Sequence, residues 1–459
     1  MTGLSRRTFL KSSAAGLTLS PEALWAFQQR SQPIPGERPA QVAGVTVLNP
    51  RARVPMSLII DDSTCLVNLA HFGIPQFAQT FPDKYKQDWR KLPREIPDSF
   101  VRKFGEWCAE NDVKGKYSIV PYPACVGWVD RYIPGWSHRE LAESLDLVRE
   151  VILPHWDIHP EMISHTRVID TKTGRPYADH SEKFMENWRW TDGKSVDQLT
   201  DYLAYALRIL KNAGLPCEGI TTPGGFGNRV LAELSQATLQ SCRDVYRAEI
   251  PHYFRHLYTG KESVVPRVEY ASGLETDDPR CSVSIIGCTG DWTGGWDAVK
   301  KGDVDRFITE DLQGGRLPEV IERGEPACLV CHWPGIYFNG EESGFQIFQE
   351  VVRRVHARYD HLRWMKLSEI ARYWAAKELT AIEQSGNTIT LRAPFATADY
   401  TVEIASREKR PPRLSAGGKQ VALQEVRGRL QLTGNTWAHA AGKTVVCFEL
   451  VKGRSELRV

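Results

Sequence analysis

Short apolar runs alternate with amphipathic helical patterns about seven times between roughly residues 45 and 378, and this rhythm restricts the fold more than any single motif. The run Ser57–Ile60 reads as a buried strand. It is followed by a helix over Asp98–Asn111, a strand over Lys116–Val120 and a helix opened by the capping box Ser137-His138-Arg139-Glu140. Glu161–Ser164 is predicted as a short strand, and Val196, Leu199, Leu203, Ala206 and Leu210 recur at helical spacing up to Gly214. The pattern continues with a strand at Ile220, a helix over Asn228–Gln240, and strands over Asp244–Ala248, Ser282–Ile286 and Ala327–Cys331. A helix over Gly344–Tyr359, a strand over His361–Met365 and a helix over Ser368–Ala376 complete it. Parallel strands need crossover helices, so the expected fold is α/β, an irregular seven-stranded (β/α) barrel over 45–378 with its chemistry where strands run into loops.

Beyond Glu378 the period changes. Thr388–Arg392, Thr401–Ile404, Val421–Glu425, Arg429–Leu432 and Thr444–Leu450 read as short strands between Gly, Asn and Pro turns, a small all-β sandwich over 379–459. At the other end, Ser5-Arg6-Arg7-Thr8-Phe9-Leu10-Lys11 precedes the small and apolar run Ser12–Leu19. This resembles a twin-arginine export signal, so residues 1–40 are assigned to a signal peptide and linker and the protein to the periplasm or the exterior of a bacterium. No later run reaches the apolar length of a membrane span.

Composition adds exclusions. With Lys+Arg 58 against Asp+Glu 56, the net charge of +2 offers no footprint for nucleic acid. The 10 cysteines are scattered; in an oxidising compartment Cys281 and Cys288 are the nearest candidates for pairing, whereas Cys328 and Cys331 lie in an apparent strand and read as core. Nothing in the sequence specifies an oligomeric state.

The strand ends collect more polar chemistry than packing requires: Asp61-Asp62, His165-Thr166, the loop Pro223–Gly227, Asp291-Trp292 and His332-Trp333. Each has a structural alternative. Asp at a strand end caps turns, a buried His can be a hydrogen-bonded core residue, and the glycines at 224, 225 and 227 allow a tight turn. Their order favours a shared site.

In that order the set resembles the polysaccharide deacetylase family, whose NodB-like domain is an irregular barrel of seven strand and helix units. Asp61-Asp62 matches the first motif, Ser164-His165-Thr166 the second, Thr222–Gly227 loosely the third, Asp291-Trp292 the fourth and the strand ending in His332 the fifth. The resemblance implies metal-assisted removal of an acyl group from a glycan, with Asp61 as general base, Asp62 and His165 as ligands of a divalent metal, zinc above others, and His332 as the acid. The sequence departs from the pattern twice: Ile169 stands where a second ligand His is expected, and Thr221 stands nearest the place of an Arg that orients the base. A third ligand would then come from His159, Asp170 or Glu161.

Two other readings stay open. A glycosidase on a related barrel would pair Asp61 or Asp62 with Asp291 across a glycosidic bond. A catalytically inactive sugar-binding protein would need only the surface. Among 14 tryptophans, Trp128, Trp136, Trp188, Trp190, Trp292, Trp296 and Trp333 lie in apparent loops. Trp292, Trp333, Trp128 and Phe226 are the expected substrate-binding aromatics, since flat rings stack on sugars, with burial under long loops as the alternative.

Overall fold

The apolar run that ends in the two aspartates forms the strand Val54–Asp61, buried at every position. It is the centre of a parallel sheet in a computed structural model that describes residues 36–406 and 409–459. Along one edge it pairs with Ala327–His332, from Met56 opposite Ala327 to Asp61 opposite His332. Along the other it pairs with Gly115–Ser118 through Leu58–Ile60 and with Leu362–Trp364 through Val54–Met56. Trp156–His159 extends the sheet beyond Gly115–Ser118.

A second sheet carries Gly219–Thr221, His252–Leu257 and Arg280–Gly287 in parallel, with Arg267–Ser272 antiparallel on its edge. The sheets meet at two seams, a parallel bridge between Glu161 and Thr221 and a 2.8 Å hydrogen bond from Cys288 N–H to the Cys328 carbonyl. The described residues contain nine α-helices and several sheets, a mixed α/β architecture, and ladder pairing does not run continuously around a closed barrel.

Side-chain alternation along the strands sorts two cores. Met56, Leu58 and Ile60 pack with Phe100 and Phe104 of the helix Asp98–Glu110. Ile59, Phe254, Ile285 and Val330 face the other way and pack with Leu367, Ile370 and Trp374 of the helix Leu367–Leu379. Helix starts follow local chemistry: Ser137 with Glu140, and Ser195 with Gln198, form capping boxes at the helices His138–Leu147 and Val196–Asn212.

Nine C-terminal strands, with one strand from earlier in the chain, form two five-stranded sheets whose inner residues, among them Ile389, Leu391, Tyr400, Trp437, Phe448 and Leu457, share one apolar core. Val45–Val47 belongs to this region, pairing antiparallel with Thr397–Ala405, so the segment assigned to 45–378 gives its first strand to the C-terminal sheets. The described residues form one compact unit. The export motif at residues 5–19 lies outside the described residues.

Several local expectations are corrected. Glu161–Ser164 is a loop and the strand lies upstream at Trp156–His159, because the left-handed backbone of Met162 (φ 55°) and His165 (φ 62°) cannot continue a strand. Val245 and Tyr246 belong to the helix Leu231–Tyr246, and the following strand is His252–Leu257, whose buried His252, Arg255 and His256 disguise it as polar. Arg429–Gln431 is a 3-10 turn rather than a strand. Cys281 and Cys288 are unpaired: Cys281 lies near the start of the strand Arg280–Gly287 and Cys288 follows its last residue, about 20 Å away at strand rise and far beyond disulfide reach.

Candidate active site

The site is built from the ends of the strands described above. Asp61 is the last residue of its strand, and Asp62 follows with φ 60°, a left-handed conformation that Asp tolerates better than most side chains. The turn sends the two carboxylates different ways. Asp61 meets Lys116, which is fully buried and whose ammonium donates to Asp61 Oδ1 at 2.5 Å, to the Ile60 carbonyl at 2.8 Å and to Ser118 Oγ at 2.8 Å. All three donor positions of the ammonium are thereby used.

Asp62 turns towards the loop after Trp156–His159. Its N–H donates to Glu161 Oε2 at 2.8 Å, and its Oδ1 lies 2.8 Å from His165 Nε2, which is also 3.2 Å from Glu161 Oε1. Asp62, Glu161 and His165 are buried, and each brings one ligand atom within 4.8 Å of the others. The loop that carries His165 is pinned by Glu186, whose carboxylate accepts from the N–H groups of Ile163, Ser164 and His165 and from the Tyr202 hydroxyl. That clamp holds the left-handed backbone of His165 in place.

His332 is the register partner of Asp61 on the neighbouring strand, and its Nδ1 lies 2.8 Å from Asp291 Oδ2. Asp291 Oδ1 accepts from Thr293 N–H and Oγ1, so the same residue closes a turn and orients the ring.

Charge is distributed unevenly over these groups. Burial pushes the Asp61 carboxyl up to about 6 against the pull of Lys116. Burial also opposes ionisation of Glu161, but His165 and then Lys116 outweigh it and hold the carboxyl at about 2. For His332 burial disfavours the cation, yet Asp62, the Asp291 hydrogen bond and Asp61 raise it to about 10. His165 is likewise raised well above the ordinary histidine value, Asp62 and Glu161 overcoming burial.

The sequence-derived set thus falls into parts. Asp61, Asp62, His165, Asp291 and His332 are drawn to adjoining strand ends. Of the three residues considered as a further ligand, Glu161 joins Asp62 and His165. His159 lies instead 3.0 Å from His252, and Asp170 caps a surface turn through Lys172 N–H and Thr173 Oγ1. Ile169 is buried in the apolar core. Trp333 and Phe226 are fully enclosed and offer no ring face to a ligand; Trp292 is buried against Phe307 and under Arg306. Trp128 is stacked on Tyr122 at 3.9 Å and carries Arg131 over its ring. The half-buried aromatics Tyr85, Trp188 and Trp296 instead gather around Phe77, on the helix that follows the two aspartates. Lys116 and Glu186 were not anticipated. A lysine in an apolar strand was a usable signal; Glu186, in a loop, carried none.

No family model and no curated protein matches the chain. The fit to a metal rests on the donors themselves. Two carboxylates and an imidazole are a zinc-type ligand set. Asp62 Oδ1, despite its nearness to His165, has no aligned hydrogen-bond partner in its buried setting. A buried carboxylate oxygen set against an imidazole nitrogen, with no aligned donor, is a place where a cation is stabilised.

Proposed function

We propose that the protein is an exported carbohydrate-active hydrolase of the polysaccharide deacetylase type, built on an irregular seven-stranded barrel and removing an acyl group from a glycan. The carrying observation is the convergence of Asp62, Glu161 and His165 beside two differently charged neighbours, the Asp61–Lys116 pair and the His332–Asp291 pair. Asp62, Glu161 and His165 would hold a divalent ion, with Glu161 replacing the histidine absent at Ile169. Such an ion supplies Lewis acidity, polarising the acyl carbonyl and bringing the pKa of water towards about 7.

The residues of the chain divide the remaining work. Asp61, held by Lys116, takes a proton from the attacking water. The hydroxyl adds to the carbonyl carbon, and the bond to the sugar nitrogen or oxygen breaks. His332, cationic and oriented by Asp291, gives its proton to that leaving atom. Widely separated proton affinities are what acid and base roles at one pH require. Tyr85, Trp188 and Trp296 provide ring faces for the sugar.

A glycosidase would need a second carboxylate free to act, and Asp291 has one oxygen committed to Thr293 and the other to His332. The test is metal content together with product analysis on acetylated glycans. The expected result is acetate release that stops with chelator and returns with zinc. Activity in metal-free protein, or new reducing ends without acetate, would overturn the reading.

A further inference from the structure

A second group of metal-type donors lies two residues upstream of Glu161. Asp157 and His159 lie on the same face of the strand Trp156–His159, and His252 opens the strand His252–Leu257. Both histidines are fully buried, and the three residues each bring one ligand atom within 4.8 Å of the others. None of them has a place in the chemistry proposed above.

The arrangement of the ring nitrogens is informative. His252 Nδ1 lies 3.4 Å from the Ile250 carbonyl, a group that only accepts, so the hydrogen of the neutral ring belongs on Nδ1 and Nε2 presents its lone pair. His159 Nδ1 faces Thr221 Oγ1 at 3.3 Å, which leaves its Nε2 directed at His252 Nε2 only 3.0 Å away. Metal-binding histidines have this organisation, the outer nitrogen donating to an acceptor and the inner one facing the ion. A tetrahedral zinc with bonds of about 2.0–2.1 Å sets two nitrogens about 3.3 Å apart, close to the spacing found. The Asp157 carboxylate stands 4.0 Å from His252 Nε2 and is held by Ser368 N–H and Oγ at the start of the helix Leu367–Leu379. Gly219 admits both rings, since a Cβ there would lie 2.5 Å and 2.7 Å from the two Nε2 atoms.

We propose that Asp157, His159 and His252 form a second divalent-cation site, of the zinc class and structural in role. It ties together strands of the two sheets and, through Ser368, the helix Leu367–Leu379. The inference stands apart from the proposed catalytic ion.

The test is zinc stoichiometry of the full chain, stripped with chelator and reloaded with zinc alone, in the parent, His165→Gln and His252→Gln proteins. Expected values are two ions per chain in the parent and one in each variant. If the catalytic reading fails but the second site exists, the parent and His165→Gln each hold one ion and His252→Gln holds none. A single ion lost in His165→Gln and kept in His252→Gln overturns the proposal while leaving the catalytic reading intact; the pair is then joined by an N–H···N hydrogen bond alone. Should His252→Gln not fold, the thermal midpoint of His165→Gln decides: added zinc raises it by a few degrees if the site exists, and an unchanged midpoint overturns the proposal.

Discussion

Lys116 Nζ lies 2.5 Å from Asp61 Oδ1, a buried ion pair formed across adjacent parallel strands at the end of the sheet. Removing one member of such a pair strands the other charge in the interior, which typically costs about 3–5 kcal/mol. Lys116→Met is therefore expected to be strongly destabilised in urea titrations. The double variant Asp61→Asn/Lys116→Met should recover most of that loss while staying inactive. Equal stability of the single and double variants would show that the pair is not coupled.

His332 offers a test that separates an acid from a structural residue. His332→Gln should slow release of a poor leaving group by about 10²–10⁴-fold, the usual span for general acid catalysis. An activated aryl ester needs no proton on departure, so its hydrolysis should be nearly spared. Asp291→Asn, which loosens the ring without removing it, should fall between the parent and His332→Gln.

Glu186 orders the His165 loop through three consecutive N–H groups and the Tyr202 hydroxyl. Glu186→Ala leaves those donors buried and unmatched, at about 1–3 kcal/mol each. The expected outcome is a large drop in unfolding free energy, with metal affinity lowered by about 10–100-fold, as for other groups that orient ligands. Tyr202→Phe removes two bonds, the one donated to Glu186 and the one accepted from Ile169 N–H, and should cost about 1–3 kcal/mol, less than Glu186→Ala.

Glu269 gives a pH dependence away from the site. Burial raises its carboxyl to about 7, whereas the unfolded chain titrates near the ordinary 4.5. Between those values the folded state binds more protons than the unfolded one, so this group's contribution to stability falls as pH rises from about 4.5 to 7. The shift corresponds to about 3 kcal/mol. Glu269→Gln should gain stability on the parent by roughly that amount across the interval, followed by denaturant midpoints at several pH values. A constant difference at all pH values would rule this out.

How much of this was visible in the residues follows from what each signal depends on. The strand ending in Asp61-Asp62, the helix with the Ser137–Glu140 box and the strand Ala327–His332 are local in origin, set by apolar runs and caps. The strand His252–Leu257 was missed because its buried face carries histidines and an arginine, which only tertiary contacts make tolerable. Glu161 was one of several possible ligands until its loop took shape, since Met162 and His165 in left-handed conformation turn side chains that a strand would have sent elsewhere. Trp333 and Phe226 were read as sugar-facing from their loop-like surroundings, but ring burial depends on neighbours distant in sequence. Lys116 could have been found: a charge in an apolar strand calls for a partner, and Asp61 was the nearest one available.

The strand Val45–Val47 closes an edge of a sheet made otherwise from the end of the chain, pairing with Thr397–Ala405. During synthesis it emerges early and waits, unpaired, until almost everything else has been made. Closing so long a loop adds little to the equilibrium cost, about 0.6 kcal/mol per doubling of length, but contacts this distant are slow to find. The chain therefore cannot be cut after residue 379 into two free-standing modules without leaving a raw strand edge on each product. The edge of that sheet is completed only after residues 397–405 have been made, when the first strand of the described chain can zip onto them.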